Sequence, residues 1–147
     1  MDLLPPRPID SLLATYAESH RNPRNELIHF ICVPAIVFAL LGMLWSVHPG
    51  LALLVGMVSM PYYIKLSVPF AAGMLLMSAA MLGLLAAVPA AQVFALSLTI
   101  FVVAWVGQFI GHKIEGKKPS FFDDLRFLLI GPLFVLGFLY RRLNIKY

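Results

Sequence analysis

The chain carries four histidines, His20, His29, His48 and His112. Imidazole is the commonest protein ligand for metals near neutral pH and suits iron, zinc and copper. The four lie far apart in sequence, so only the fold can bring them together. Two uncharged runs decide which can meet. Residues 27–64 and 66–111 contain no Asp, Glu, Lys or Arg, and each is long enough for two bilayer crossings of about 20 residues. Four crossings return the chain to its starting side. His20, His29 and His112 then share one membrane level, and His48 falls in an opposite turn. Three converging histidines make a candidate metal site. The competing reading is three interfacial polar side chains, each satisfied by a backbone carbonyl.

Polar neighbours extend the cluster. Trp105, Gln108, His112 and Glu115 follow steps of three or four, so they share a face if the helix continues. Gln108 can hold an imidazole or a bound oxygen ligand. Glu115 can serve as a ligand, as an acceptor behind a ligand or as a base; otherwise it is an exposed acid neutralised by Lys117 and Lys118. Asn25, one turn before His29, can fix the imidazole tautomer or cap a helix. Asp123 and Asp124 are expected to cap or solvate the segment before Arg126, and Tyr16 to pack. The candidate site is therefore a metal held by His20, His29 and His112, with Gln108, Glu115 and Asn25 as catalytic candidates.

The element that must position these residues is a single integral membrane domain of all-α class. Of 147 residues, 61% are hydrophobic and 12% charged, against about 25% charged in soluble domains. A soluble helical core of this composition would have little polar surface to face water. After Pro8, residues Ile9, Leu12, Leu13, Tyr16 and Ala17 fall on one helical face, with Asp10 or Ser11 as N-cap. This N-terminal amphipathic helix is expected on the membrane surface or on the bundle, with His20 in line with its apolar stripe. Asn22 then caps a helix that starts at Pro23. Four transmembrane helices are expected at about 26–47, 51–64, 68–88 and 91–112. His48-Pro49-Gly50 and Pro89 form turns, and a polar loop covers 113–126.

The last apolar stretch, 127–140, is shorter than a span and is interrupted by Gly131-Pro132. Arg7, Arg21, Arg24, Lys65, Lys113, Lys117, Lys118 and Arg126 all fall on one side of the four-helix arrangement. By the positive-inside rule that side is cytoplasmic. Arg141, Arg142 and Lys146 obey the rule only if the last stretch is re-entrant or interfacial, packed on the bundle. The formal charge of +4 is explained by retention at an anionic membrane surface, with no need of nucleic acid. The single cysteine, Cys32, excludes an intrachain disulfide and reads as a packing residue. Residues 1–10 carry three prolines and no basic start, unlike a signal peptide, so the first apolar helix is expected to direct insertion.

Two ordered patterns carry a resemblance. The first is Tyr16, His20, Asn25 and His29, followed by Val33-Pro34. The second is Gln108, Gly111-His112, Glu115-Gly116-Lys117 and Pro119, with Gly131-Pro132 further on. Together they resemble the fungal and bacterial 2-hydroxy fatty acid dioxygenase family over about residues 12–136. The resemblance implies an Fe(II)-dependent membrane enzyme of fatty-acid α-oxidation. Such an enzyme uses O2 to cleave the C1–C2 bond of a 2-hydroxy fatty acid, giving the acid one carbon shorter and CO2. The histidines matching the family's motifs are His20, His29 and His112. Short loops point to a bacterial inner membrane, or the endoplasmic reticulum in a eukaryote, with the site on the cytoplasmic side.

Two other functions compete. A haem protein would use His29 and His112 as axial ligands. A non-catalytic lipid-binding or scaffold protein would use the histidines structurally. A transporter fits less well, because the spans carry no charge at mid-depth. Oligomeric state is not fixed by the sequence.

Overall fold

Every helix among the described residues starts at or beside a proline. Proline suits the first helical turn because its missing N–H would have no intrahelical partner there. The computed structural model describes residues 5–116 and 127–147; Lys117, Lys118, Pro119, Asp123, Asp124 and Arg126 lie outside them. Among the described residues there are six helices: α1 (Pro8–Glu18), α2 (Pro23–Val47), α3 (Pro49–Leu66), α4 (Val68–Ala87), α5 (Ala90–Glu115) and α6 (Gly131–Arg142).

Several expected boundaries shift for local reasons. Pro8 takes the first position of α1, so the N-cap is Arg7 and not Asp10 or Ser11. Asp10 instead pairs with the Arg7 guanidinium through two hydrogen bonds of 2.9 and 3.0 Å. His48 alone joins α2 to α3, and its Nδ1 accepts from the Gly50 N–H at 2.9 Å. Pro49 and Gly50 are thus the first turn of α3, not a loop. Gly116 ends α5 in the left-handed conformation, φ 75°, so the helix runs through His112 to Glu115. Gly131-Pro132 starts α6 rather than interrupting it. As expected, Asn22 caps α2, accepting from the Arg24 N–H at 2.9 Å.

Length separates the spans from the rest. Helices α2 to α5 have 25, 18, 20 and 26 residues and are apolar enough to cross a membrane. At 1.5 Å per residue they reach about 27–39 Å, against a hydrocarbon core of about 30 Å. The 12 residues of α6 reach only about 18 Å, so α6 cannot cross. The outer faces match lipid: Leu27, Ile31, Met57 and Val103 are 60–71% exposed.

Helix α2 packs along α5, α3 pairs with α4, and α6 lies against α4 and α2. Helix α1 contacts α6, and its Ile9 and Tyr16 join Phe70, Met74 and Leu133 in one core. The apolar stripe of α1 is thus buried on the bundle. Backbone at this depth needs protein partners, and two tyrosines supply them. Tyr63 donates to the Leu129 carbonyl at 3.0 Å, and Tyr140 to the Pro69 carbonyl at 2.6 Å. Arg7 also donates to the Tyr147 backbone oxygen at 2.7 Å. The two described ends of the chain therefore lie together, at the end of the bundle opposite His48.

This arrangement predicts opposite accessibility for the two ends. With Cys32 replaced by Ser, single cysteines at His48 and Asn144 should react with a membrane-impermeant thiol reagent from opposite faces of sealed vesicles. Labelling of both from one face would break the topology.

Candidate functional site

The three histidines come from three elements. His20 follows α1, His29 lies two turns into α2, and His112 lies in the last turn of α5. Antiparallel passage through four spans returns α5 to the α1–α2 corner. All three are buried, at 7%, 3% and 6% exposure. The His20 and His29 ring centroids stand 4.1 Å apart, and those of His29 and His112 stand 5.5 Å apart. His48 remains exposed at the far end.

Two of the imidazoles are oriented by the same device. His20 Nδ1 lies 2.7 Å from the Tyr16 carbonyl, and His29 Nδ1 lies 2.9 Å from the Asn25 carbonyl. A carbonyl only accepts, so Nδ1 carries the proton and the lone pair sits on Nε2. An outer hydrogen bond that fixes the tautomer and frees the other nitrogen for ligation is characteristic of metal-binding histidine. His20 is held further by stacking on Tyr16, centroids 4.2 Å apart and 7° from parallel. Tyr16 thus does more than pack, since its carbonyl and ring together orient His20.

Asn25 and Glu115 act largely through backbone groups. The backbone carbonyl of Asn25, not its carboxamide, fixes His29. The carboxamide nitrogen donates to the Ser19 carbonyl at 3.1 Å and to Glu115 Oε2 at 3.0 Å. Glu115 accepts from the Arg21 N–H at 3.0 Å, and from the Asn22 N–H at 3.3 Å to Oε1 and 3.0 Å to Oε2. Both carboxylate oxygens are directed at the start of α2, where the helix dipole also favours negative charge. Glu115 therefore fastens the end of α5 to the α1–α2 corner, between His20 and His29.

A signal missed in the sequence is Gly107 with Gly111, one turn apart on the His112 side of α5. Small residues at this spacing let membrane helices approach closely. A β-carbon at Gly107 would lie 2.6 Å from Cys32 Sγ, and one at Gly111 would overlap the Asn25 carboxamide oxygen. Gly131 does the same for α6, where a β-carbon would lie 2.9 Å from Val33 Cγ1.

Between these elements lies a cavity of about 30 Å³ lined by Tyr16, His20, His29, Trp105, Gln108 and Phe127, among others. That volume admits on the order of two water-sized molecules. Gln108 faces the cavity and is 6% exposed. Among the described residues no three His, Cys, Asp or Glu side chains stand at the mutual spacing of an assembled metal site. Imidazole nitrogen is nonetheless a donor type that suits iron. Two imidazoles bound side by side at about 2.1 Å from nitrogen to metal have centroids roughly 4.5–5.5 Å apart; the His29–His112 separation lies at the upper edge of that range and the His20–His29 separation just below it.

The Glu115 arrangement predicts that Glu115→Gln replaces one of two acceptor oxygens with an NH2 that faces two N–H donors, whichever oxygen is replaced. The expected loss is about 1–2 kcal/mol, read as a lower melting temperature in detergent. The exposed Lys113→Ala should have no such effect. Equal stability of Glu115→Gln and the parent would remove Glu115 from this fastening role.

The comparisons with known proteins point to one family. The sequence pattern described as 2-hydroxy-palmitic acid dioxygenase Mpo1-like matches residues 7–143. A relative from Saccharomyces cerevisiae, 2-hydroxy-palmitic acid dioxygenase MPO1, is 32% identical over 135 residues, covering 86% of this chain and 76% of the relative. No solved structure matches the chain. The match over nearly the whole chain, together with four apolar spans, shows that the protein belongs to the Mpo1-like 2-hydroxy-palmitic acid dioxygenase family.

Proposed function

We propose that His20, His29 and His112 hold one Fe(II) ion and that the protein oxidatively shortens 2-hydroxy fatty acids by one carbon. The observation that carries this reading is the shared orientation of His20 and His29, each with Nδ1 bonded to the carbonyl four residues earlier. That bond leaves Nε2 as the ligating atom beside His112. In the overall reaction the C1–C2 bond breaks, C1 leaves as CO2 and C2 becomes the new carboxyl carbon. One O2 accepts the four electrons released, and water completes the balance.

Bound Fe(II) would supply the one-electron chemistry that O2 requires, and three protein nitrogens leave room for the two oxygens of a 2-hydroxy acid. The chain's own residues do the positioning. Tyr16 and Asn25 hold two imidazoles through their carbonyls, and Glu115 keeps α1, α2 and α5 in register. Gln108 offers a donor and an acceptor to an oxygen ligand within the cavity. Trp105 and Phe127 exclude bulk water. The level of the site suits the substrate, whose head group prefers the interface and whose chain prefers hydrocarbon. The one-sided distribution of Lys and Arg supports a cytoplasmic location for this level, at the inner membrane if the chain is bacterial.

The test joins metal analysis to product detection on anaerobically purified protein. His20→Ala, His29→Ala and His112→Ala should each lower bound iron and abolish formation of the shortened acid from 2-hydroxypalmitate. His48→Ala loses a helix cap worth about 1 kcal/mol but should keep both iron and activity. Palmitate should give no shortened product, because chelation through the 2-hydroxyl is what places C1 and C2 for reaction. Equal turnover of palmitate and 2-hydroxypalmitate would contradict the chelation mechanism. Loss of iron in His48→Ala as complete as in His112→Ala would contradict the ligand set.

A further inference from the structure

Beyond the histidine cavity lies a second, larger space that the reaction as described does not use. It has a volume of about 190 Å³ and lies between α2, α3, α4 and the turn before α6. Its walls include Leu40, Leu44, Val55, Tyr63 and Met74. Two of the three hydroxyl groups in the wall are satisfied internally. Ser59 Oγ donates to the Gly56 carbonyl at 2.8 Å, and the Tyr63 hydroxyl donates to the Leu129 carbonyl. The space is thus apolar in demand as well as in lining, and a space of that kind takes apolar ligands rather than water.

Its two ends fix what it can hold. At one end Leu128 lines both this space and the histidine cavity, so the two share that side chain as a wall. At the other end Gly56 and Ser78 line both this space and a groove of about 210 Å³ on the α3–α4 face. That groove is walled by Leu53, Met57 and Leu75, which are 49–71% exposed on the lipid side. Gly56 leaves the opening wide, since a β-carbon there would meet nothing within 4 Å. Shared walls thus line up an apolar path from the lipid face, past Gly56 and Ser78, to the Leu128 wall of the histidine cavity.

We propose that this route is the acyl-chain site: the substrate's hydrocarbon tail enters laterally between α3 and α4 and lies between α2, α3 and α4, with its head group reaching the histidines past Leu128. The inference rests on the proposed 2-hydroxy acid reaction for the identity of the tail. Continuity with the histidine cavity selects this occupant over a bulk phospholipid tail, whose head group would have no polar partner at the Leu128 end. Chain-length selection then resides at Gly56 and Ser78, where helix-compatible side chains can fill the passage without displacing a neighbour.

The test uses the full-length protein in detergent-lipid micelles. 2-Hydroxypalmitate bearing a mid-chain diazirine should photolabel peptides containing Leu44, Ser59 or Met74. Gly56→Phe should abolish that labelling, as should Ser78→Leu from the opposite helix. In turnover, each variant should lower the ratio of 2-hydroxypalmitate to 2-hydroxyoctanoate rates by at least about tenfold, the low end for a misplaced reacting group. Bound iron should be unchanged. Membrane partitioning of the two acids is common to parent and variants, so the ratio isolates the passage. Labelling confined to lipid-facing residues, labelling matched by a phospholipid bearing the same diazirine, or an unchanged ratio in both variants would overturn the acyl-chain site. Labelling inside the cavity with no shortened product from the iron-loaded parent would instead overturn the reaction and leave the lipid site standing.

Discussion

Where α2 and α5 meet, a β-carbon on Gly111 would overlap the Asn25 carboxamide oxygen and stand 3.1 Å from His29 Cε1. This approach governs the rest of the site. Helices in lipid gain little hydrophobic free energy from meeting each other, so they associate through close packing and hydrogen bonds. Gly107 and Gly111 supply the close packing, and Glu115, one turn beyond, supplies the hydrogen bonds. With the helices this close, His112 faces His29 across one ring's width. Any side chain at Gly111 would have to push α2 and α5 apart or displace Asn25, whose carbonyl orients His29.

The same constraint explains why the site lies at one end of the bundle. A buried imidazole needs a partner for Nδ1, and within a hydrocarbon core unpartnered polar groups are costly. Near the helix ends, backbone carbonyls of the preceding turn meet that need for His20 and His29. A carboxylate can also remain there, held by the N–H groups at the start of α2. Toward the far end the bundle becomes almost wholly apolar, with Leu41, Ala52, Met81, Leu85 and Val93 in its core. The chemistry is thus confined to the level where head groups lie, and the rest of the bundle faces hydrocarbon.

Much of this was legible in the sequence. The two uncharged runs fixed the number of spans, and four spans fixed which histidines could converge. The asymmetric charges gave the position of the last segment, since Arg141 and Arg142 could not follow a crossing. Boundaries were less legible, because a proline marks a break in a pattern but not which side of it the helix begins. Hence Pro49 and Gly131-Pro132 read as interruptions although they start helices. The role of Glu115 was hidden for another reason. Its partners are backbone N–H groups of Arg21 and Asn22, more than 90 residues away, and backbone donors leave no side-chain signature. The same holds for the carbonyls of Tyr16 and Asn25.

In the proposed function, three imidazoles, one just after α1 and the others from α2 and α5, share one ion. Iron K-edge X-ray absorption on anaerobically purified, full-length protein reads this directly. The account predicts about three imidazole nitrogens at roughly 2.0–2.2 Å, with the multiple-scattering pattern of rigid rings and only oxygen completing the shell. A porphyrin pattern, a sulfur scatterer from Cys32, or an iron shell without imidazole would contradict it.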